Sequence, residues 1–246
     1  MAGTGSRLHE ARGSGPKALL PIGGRPLISY AIDSFAEAGV ECLHVVVGAN
    51  GDALASQLRP LVEPRMKLNP IVNSDWQKQN GVSVLKAAGV VASPFYLAMA
   101  DHLFEPAILE MLRAQSDPER LNLAVDRKIE SIFDLDDAMK VATSNDEVVA
   151  ISKSLPDYDA IDTGLFLCPN SLFDYLRRAL RDDDCSLADG VRLMAADRRV
   201  KAIDIGDAWW QDVDTPEMLE RAERESARLF RQDDGQRSQE SIRGER

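Results

Sequence analysis

No stretch of the 246-residue sequence reaches the roughly 18–20 consecutive apolar residues of a membrane helix. Met1 to Leu8 has no apolar core of the kind a secretory signal peptide carries. Cysteine is scarce: Cys42, Cys168 and Cys185 are odd in number and too far apart for a zinc knuckle. They read as free thiols of a cytoplasmic protein. His9, His44 and His102 are too scattered for a His-rich metal site. Positive charge is also short, with 29 Lys and Arg against 40 Asp and Glu and a formal net charge of −11. That deficit excludes a protein whose main work is coating nucleic acid or anionic membrane. It leaves room for a nucleotide, which needs only a few local cations.

Hydrophobic residues make up 44% of the chain, enough to bury a core. The length suits one α/β domain over 1–230. The remainder, 231–246, is almost without apolar residues and reads as a disordered polar tail. Apolar spacing predicts helices over 26–38, 53–61, 80–90 and 106–114, interleaved with strands over 42–47, 71–72, 95–100 and 121–125. Such alternation implies strands running the same way, linked by crossover helices. From about Phe133 the texture changes to shorter strands over 140–142, 148–151 and 164–168. Helices over 171–180 and 185–196, a strand over 201–205 and a long charged helix over 216–230 follow. The fold class is therefore α/β: a Rossmann-like mixed, mostly parallel sheet flanked by helices. A glycine loop such as Gly3-Thr4-Gly5 is normally delivered by a preceding central strand, and here the expected first strand is missing.

Several short patterns carry chemistry. Gly3-Thr4-Gly5-Ser6-Arg7 combines residues that allow close backbone approach with a guanidinium, a cradle suited to phosphate, or simply a glycine turn. It lacks the third glycine of a dinucleotide fingerprint, which disfavours an oxidoreductase, and it lacks the GK[ST] ending of a P-loop. Lys17 follows a flexible segment and can fold back on the same phosphates, although a surface lysine is the commoner fate. Asp101 stands after an apolar strand, at the carboxyl end where open α/β sheets bind ligands; helix capping is the alternative. Asp212 and Asp214 lie two apart in an extended segment, so both carboxylates point one way and repel unless a cation intervenes. Asp214 or Thr215 before Pro216 also makes a good helix start. Of Trp209 and Trp210, at least one is expected in the core and one can wall a pocket.

In order and spacing the set resembles the nucleotidyltransferase family that makes nucleotide-activated sugars and alcohols, over about residues 2–225. AGTGSRL and PKALLPIGGRPLI carry that likeness. The likeness to cytidylyltransferases acting on inositol 1-phosphate rests on Asn80-Gly81-Val82-Ser83, Ala100-Asp101-His102, Ala124-Val125-Asp126-Arg127, Asp137-Ala138-Met139-Lys140-Val141, Ile161-Asp162-Thr163-Gly164 and Trp210-Gln211-Asp212-Val213-Asp214-Thr215. The resemblance implies a nucleotide-diphospho-sugar transferase type of fold. It implies transfer of a cytidylyl group from CTP to a phosphorylated alcohol, with Mg²⁺ as cofactor, giving CDP-inositol and pyrophosphate. Ala2, Gly3, Thr4, Gly5 and Arg7 would hold the nucleotide, Lys17 would reach the phosphates, and Asn80, Gly81 and Ser83 would lie against the cytosine. Asp101, Asp212 and Asp214 would hold Mg²⁺, while Lys140, Lys153 and Asp162 would fall near the acceptor. Other acceptors, such as phosphocholine, aminoethylphosphonate or a sugar 1-phosphate, and a non-catalytic nucleotide-binding relative remain as alternatives. Many inositol-type relatives also carry a membrane alcohol-phosphotransferase domain. None is visible in this sequence, so any lipid coupling is expected of another protein.

Overall fold

A computed structural model describes residues 16–48 and 51–229. The Gly3–Arg7 loop, the expected absence of a strand before it and the tail over 231–246 lie outside these residues. The described chain opens with a 3-10 turn, Lys17–Leu19, and two minimal strands, β1 (Pro21–Ile22) and β2 (Arg25–Pro26). Helix α1 (Leu27–Glu37) follows. Strand β3 (Cys42–Val47) pairs in parallel with β4 (Lys67–Val72), and α2 (Gly51–Leu58) crosses between them. The β4 strand is longer than expected. It takes in Pro70, which is tolerated on a strand with a free side.

The principal sheet has six strands in the order β5-β10-β7-β11-β9-β8. They are β5 (Phe95–Ala98), β7 (Leu121–Asp126), β8 (Lys140–Ser144), β9 (Glu147–Ser152), β10 (Ala160–Cys168) and β11 (Val200–Asp204). Their pairings revise the sequence reading in one respect. Both β5 and β7 are antiparallel to β10, and β11 is parallel to β7. Hence β5, β7 and β11 do run the same way, as strand–helix alternation requires. The long β10 is inserted between β5 and β7 in the opposite sense, which leaves the sheet mixed but mainly antiparallel among the described residues. Among the described residues β5 is an edge strand of this sheet, and all of its residues stay partly exposed.

Helices α5 (Ser171–Ala179) and α6 (Leu187–Ala196) cover one face, packing on Leu121, Leu123, Val125 and Phe166. Helices α1 and α4 (Ala107–Gln115) cover the other, packing on Ala124, Leu165, Leu167 and Ile203. The period-2 alternation of β7 and β10 divides their side chains between these two cores. A capping box formed by Ser186 and Asp189 starts α6. Short α3 (Asn80–Leu85) lies against α6, closely enough that a Cβ on Gly81 would fall 2.6 Å from the Cys185 carbonyl oxygen. Outside the main sheet, β6 (His102–Phe104) pairs antiparallel with β12 (Trp210–Asp212), and α7 (Pro216–Leu229) closes the described chain. No helix among the described residues is long and apolar enough to cross a membrane.

Candidate active site

The common direction of β5 and β7 brings their carboxyl ends to one edge of the sheet. Asp101 lies three residues beyond β5, and Asp126 ends β7. The reversed β10 enters at the same edge with Ala160, Ile161 and Asp162. The β6–β12 ladder crosses there and sets Asp212 opposite His102. These segments wall a cavity of about 420 Å³.

Lys17 reaches into the same edge and joins two of the acids. Its Nζ donates to Asp101 Oδ2 at 2.8 Å and to Asp214 Oδ1. Its side chain is only 13% exposed. The capping alternatives are resolved by the contacts. Thr215 Oγ1 accepts from the Met218 N–H at the start of α7, so Asp214 is left to meet Lys17. Asp101 is followed by a strand rather than a helix, and its other oxygen accepts from His102 Nδ1 at 2.8 Å.

The electrostatics follow from this packing. Burial opposes a charge on Lys17, but Asp101 and Asp214 outweigh it and hold its pKa above the ordinary lysine value. Burial likewise opposes ionisation of Asp101, yet His102 and Lys17 hold its carboxyl well below the usual range. His102 loses by burial and gains more from Asp101, Asp212 and Asp162, so its pKa is raised. Asp212 is raised chiefly by burial, with Asp214 and Asp101 pressing in the same direction. A cation flanked by acids thus stays charged without any general base.

Asp162 lies on the far side of His102. Burial pushes its carboxyl up to about 6, against the Gly164 N–H and the His102 charge. The register between β10 and β7 slips between Asp162 and Phe166, a bulge beside the site. Gly164 sits inside it at φ +72°, and a Cβ there would fall 2.7 Å from His102 Nε2. Only glycine fits both the backbone angle and the imidazole.

The sequence candidates are not all gathered. Lys17, Asp101, Asp212, Asp214, Asp162 and Lys153 border the cavity or bind a group that does. Lys140 does not line it, because its ammonium donates to the Leu135 and Lys153 carbonyl oxygens, each at 2.9 Å. Asn80 lines the cavity, but its Oδ1 accepts from the Leu187 N–H at 2.8 Å. Gly81 makes the close α3–α6 approach. Ser83 accepts from Asn73 Nδ2 at 3.0 Å and faces a second, apolar cavity. Ala2, Gly3, Thr4, Gly5 and Arg7 lie outside the described residues.

Other members were missed from sequence. His102 looked like one of three scattered histidines, although its position directly after Asp101 was a usable signal. Asp126, Lys128 and Arg221 also line the cavity. Both tryptophans line the cavity, and Trp209 also packs, partly buried, against the cluster of Ile22 and Leu27. Among the described residues, Trp209 Nε1 is a buried donor without a partner.

Hard carboxylate oxygens suit Mg²⁺, which keeps waters and takes one or two carboxylates plus substrate phosphates rather than an all-protein cage. The described residues hold no ready-made cluster of three or more His, Cys, Asp or Glu for a metal. Asp101 and Asp214, already gathered around one cation with Asp212 beside them, fit the sparser arrangement.

A Rubrobacter xylanophilus protein named "Bifunctional IPC transferase and DIPP synthase" is 33% identical over 225 residues, covering 90% of this chain and 50% of that protein. An Aquifex aeolicus protein of the same name is 30% identical, over 90% of this chain and 49% of its own length. The chain thus spans about half the length of the curated relatives it matches. The inositol-1-phosphate CTP transferase of T. maritima shares the fold, with a TM-score of 0.78 at 24% identity over 89% of this chain and 92% of that one. Residues 1–200 match the MobA-like NTP transferase domain, and the chain belongs to that family.

Proposed function

We propose that the protein transfers a cytidylyl group from CTP to inositol 1-phosphate, giving CDP-inositol and pyrophosphate in the cytoplasm as a step toward a phospholipid precursor. One observation carries the reading: a largely buried lysine held charged between two acids that line a cavity at the carboxyl ends of co-directional strands. That arrangement handles polyphosphate. The names of the relatives supply the choice of acceptor and base.

The acceptor's phosphate oxygen attacks the α-phosphorus of CTP in line, and pyrophosphate leaves. The nucleophile is already an anion, so neither a general base nor a covalent intermediate is needed. The difficulty is bringing two polyanions together. Lys17 offers a compact cation to the reacting phosphates, joined by Arg7 from the glycine loop, while fixed positioning lowers the remaining barrier. Mg²⁺, held by Asp101, Asp212 and Asp214, would supply further positive charge at the phosphates. Asp162 and Lys153 border the part of the cavity left for the acceptor, where a carboxylate can take hydroxyl donors and an ammonium can take phosphate.

The test is pyrophosphate release with Mg²⁺, inositol 1-phosphate and each of the four nucleoside triphosphates. Release with CTP that depends on the acceptor supports the assignment. Release only with phosphocholine, aminoethylphosphonate or a sugar 1-phosphate moves the acceptor. CTP binding without turnover on any of them points to a non-catalytic relative.

A further inference from the structure

We propose that Asp126 and Trp210 are positioning residues that act through His102 to set the direction of the Asp101 carboxylate. The inference rests on the nucleotidyl-transfer reading above, which gives Asp101 its role.

Asp126 is 3% exposed, although it borders the reaction cavity. A buried carboxylate needs partners, and here they consume both oxygens. Oδ1 accepts from the Lys128 backbone N–H at 2.7 Å and pairs with Lys128 Nζ at 2.9 Å. Oδ2 accepts from Trp210 Nε1 at 3.0 Å. The transfer scheme gives Asp126 no chemical step; Lys128 balances its charge at Oδ1, and Oδ2 holds the indole N–H.

Trp210 in turn lies nearly flat on His102, with ring centroids 5.8 Å apart and planes at 18°. Gly164 bounds the imidazole on its Nε2 side, with no space even for a methyl group. Held in this way, His102 presents Nδ1 to Asp101 Oδ1 at 2.8 Å. That contact leaves Oδ2 to Lys17, also at 2.8 Å. The line Asp126–Trp210–His102–Asp101–Lys17 therefore ties the end of β7 to the cation of the site. Trp210 acts twice, since it also belongs to the strand that carries Asp212.

The competing account is that Trp210 only fills space. Trp210→Phe keeps an aromatic ring on His102 and deletes the N–H to Asp126. Asp126→Ala deletes the acceptor, and Asp126→Asn keeps an oxygen there. Outer partners of this kind change activity or metal affinity by about 10–100-fold. The expected result is a fall of about that size in kcat for Trp210→Phe and Asp126→Ala, with KM for CTP and inositol 1-phosphate shifted less than about twofold. Asp126→Asn, whose single amide oxygen can accept from Trp210 or from Lys128 but not both, recovers only part of the rate. Mn²⁺ binding in the presence of CTP, followed by electron paramagnetic resonance, weakens in the same two variants. The His102 ring signals in NMR, shifted by the indole current, move in Asp126→Ala.

Unchanged kcat and Mn²⁺ affinity in folded Trp210→Phe, or unmoved His102 signals in Asp126→Ala, overturns the proposal. If Asp126→Ala does not fold, Trp210→Phe and Asp126→Asn carry the test by kcat, Mn²⁺ affinity and the same signals. If the wild type releases no pyrophosphate with any acceptor, the functional reading fails; the Mn²⁺ and NMR readouts still decide the line of contacts.

Discussion

The cavity beside Asp101 and Asp214 encloses about 420 Å³ and is walled by carboxylates, cations and two indoles. Its neighbour between β3 and β5 encloses about 560 Å³ and is walled mainly by aliphatic and aromatic side chains such as Ile32, Phe35, Val84 and Leu97. Asn80 and Met99 line both. The larger space has little to act with. The smaller one holds groups bound to one another, so that a change in one is felt by the next. Volume alone would favour the apolar cavity, whereas the pairing of charges favours the polar one.

The largest expected effect lies on the polar side. Lys17→Ala removes the cation that joins Asp101 and Asp214. Loss of one preorganised electrostatic contact typically costs about 10²–10³ in kcat. That loss should appear in pyrophosphate release from a protein whose circular dichroism is unchanged. Leu97→Ala, on the apolar side, should leave the rate within about threefold. A comparable loss of rate in both variants would erase the functional contrast between the cavities.

Next in size is a contrast in stability. Leu123 is fully buried at the centre of the sheet, and truncation there creates a new hole. Leu123→Ala should cost about 2–5 kcal/mol in urea unfolding. Leu97 borders space that is already open, so Leu97→Ala loses transfer energy with little added cavity cost, about 1–2 kcal/mol. Equal costs would mean that the wall of the β3–β5 cavity is packed as tightly as the sheet centre.

The same contrast explains what could be read from sequence. Residues 42–47 were legible as a strand because β-branched and aliphatic side chains mark one wherever it sits. Burial was not legible in the same way. Strand β7 contains Asn122 and Asp126 and is wholly buried, whereas the all-apolar β5 is half open. Burial depends on which strands lie on either side, and the insertion of β10 between β5 and β7 is a long-range event without a local signal. The charged residues behaved similarly. Asp101, Asp212, Asp214 and Lys17 were visible from their places after an apolar strand, in an extended segment and after a glycine-rich stretch, although capping or plain exposure was an alternative for all but Asp212. Lys140 stood in a motif, but its ammonium is taken up by backbone carbonyls that no spacing rule anticipates. His102 meets its neighbour Asp101, but its packing on Trp210 and Gly164, like the Asp126 bond to Trp210, depends on contacts across the fold.

The smallest expected effect concerns Asp162, whose carboxyl is pushed up to about 6 from an unfolded value of 3.8. A carboxylate raised in the folded state favours folding most below the unfolded pKa, and that contribution is lost as pH rises through the folded value. Above about pH 6 the ionised, half-buried Asp162 therefore opposes folding. Asp162→Asn keeps an oxygen for the Gly164 N–H, which lies 2.7 Å from Asp162 Oδ1, and removes the charge. Relative to wild type, the variant should gain at most about 2 kcal/mol between pH 4.5 and pH 7.5 in urea unfolding, and less in proportion to the water that screens the partly exposed carboxylate. Leu97→Ala, which carries no titrating group, should show a pH-independent difference over the same range. A flat difference for Asp162→Asn as well would mean that Asp162 is hydrated in solution, and that the polar cavity is open to water beneath the His102 ring.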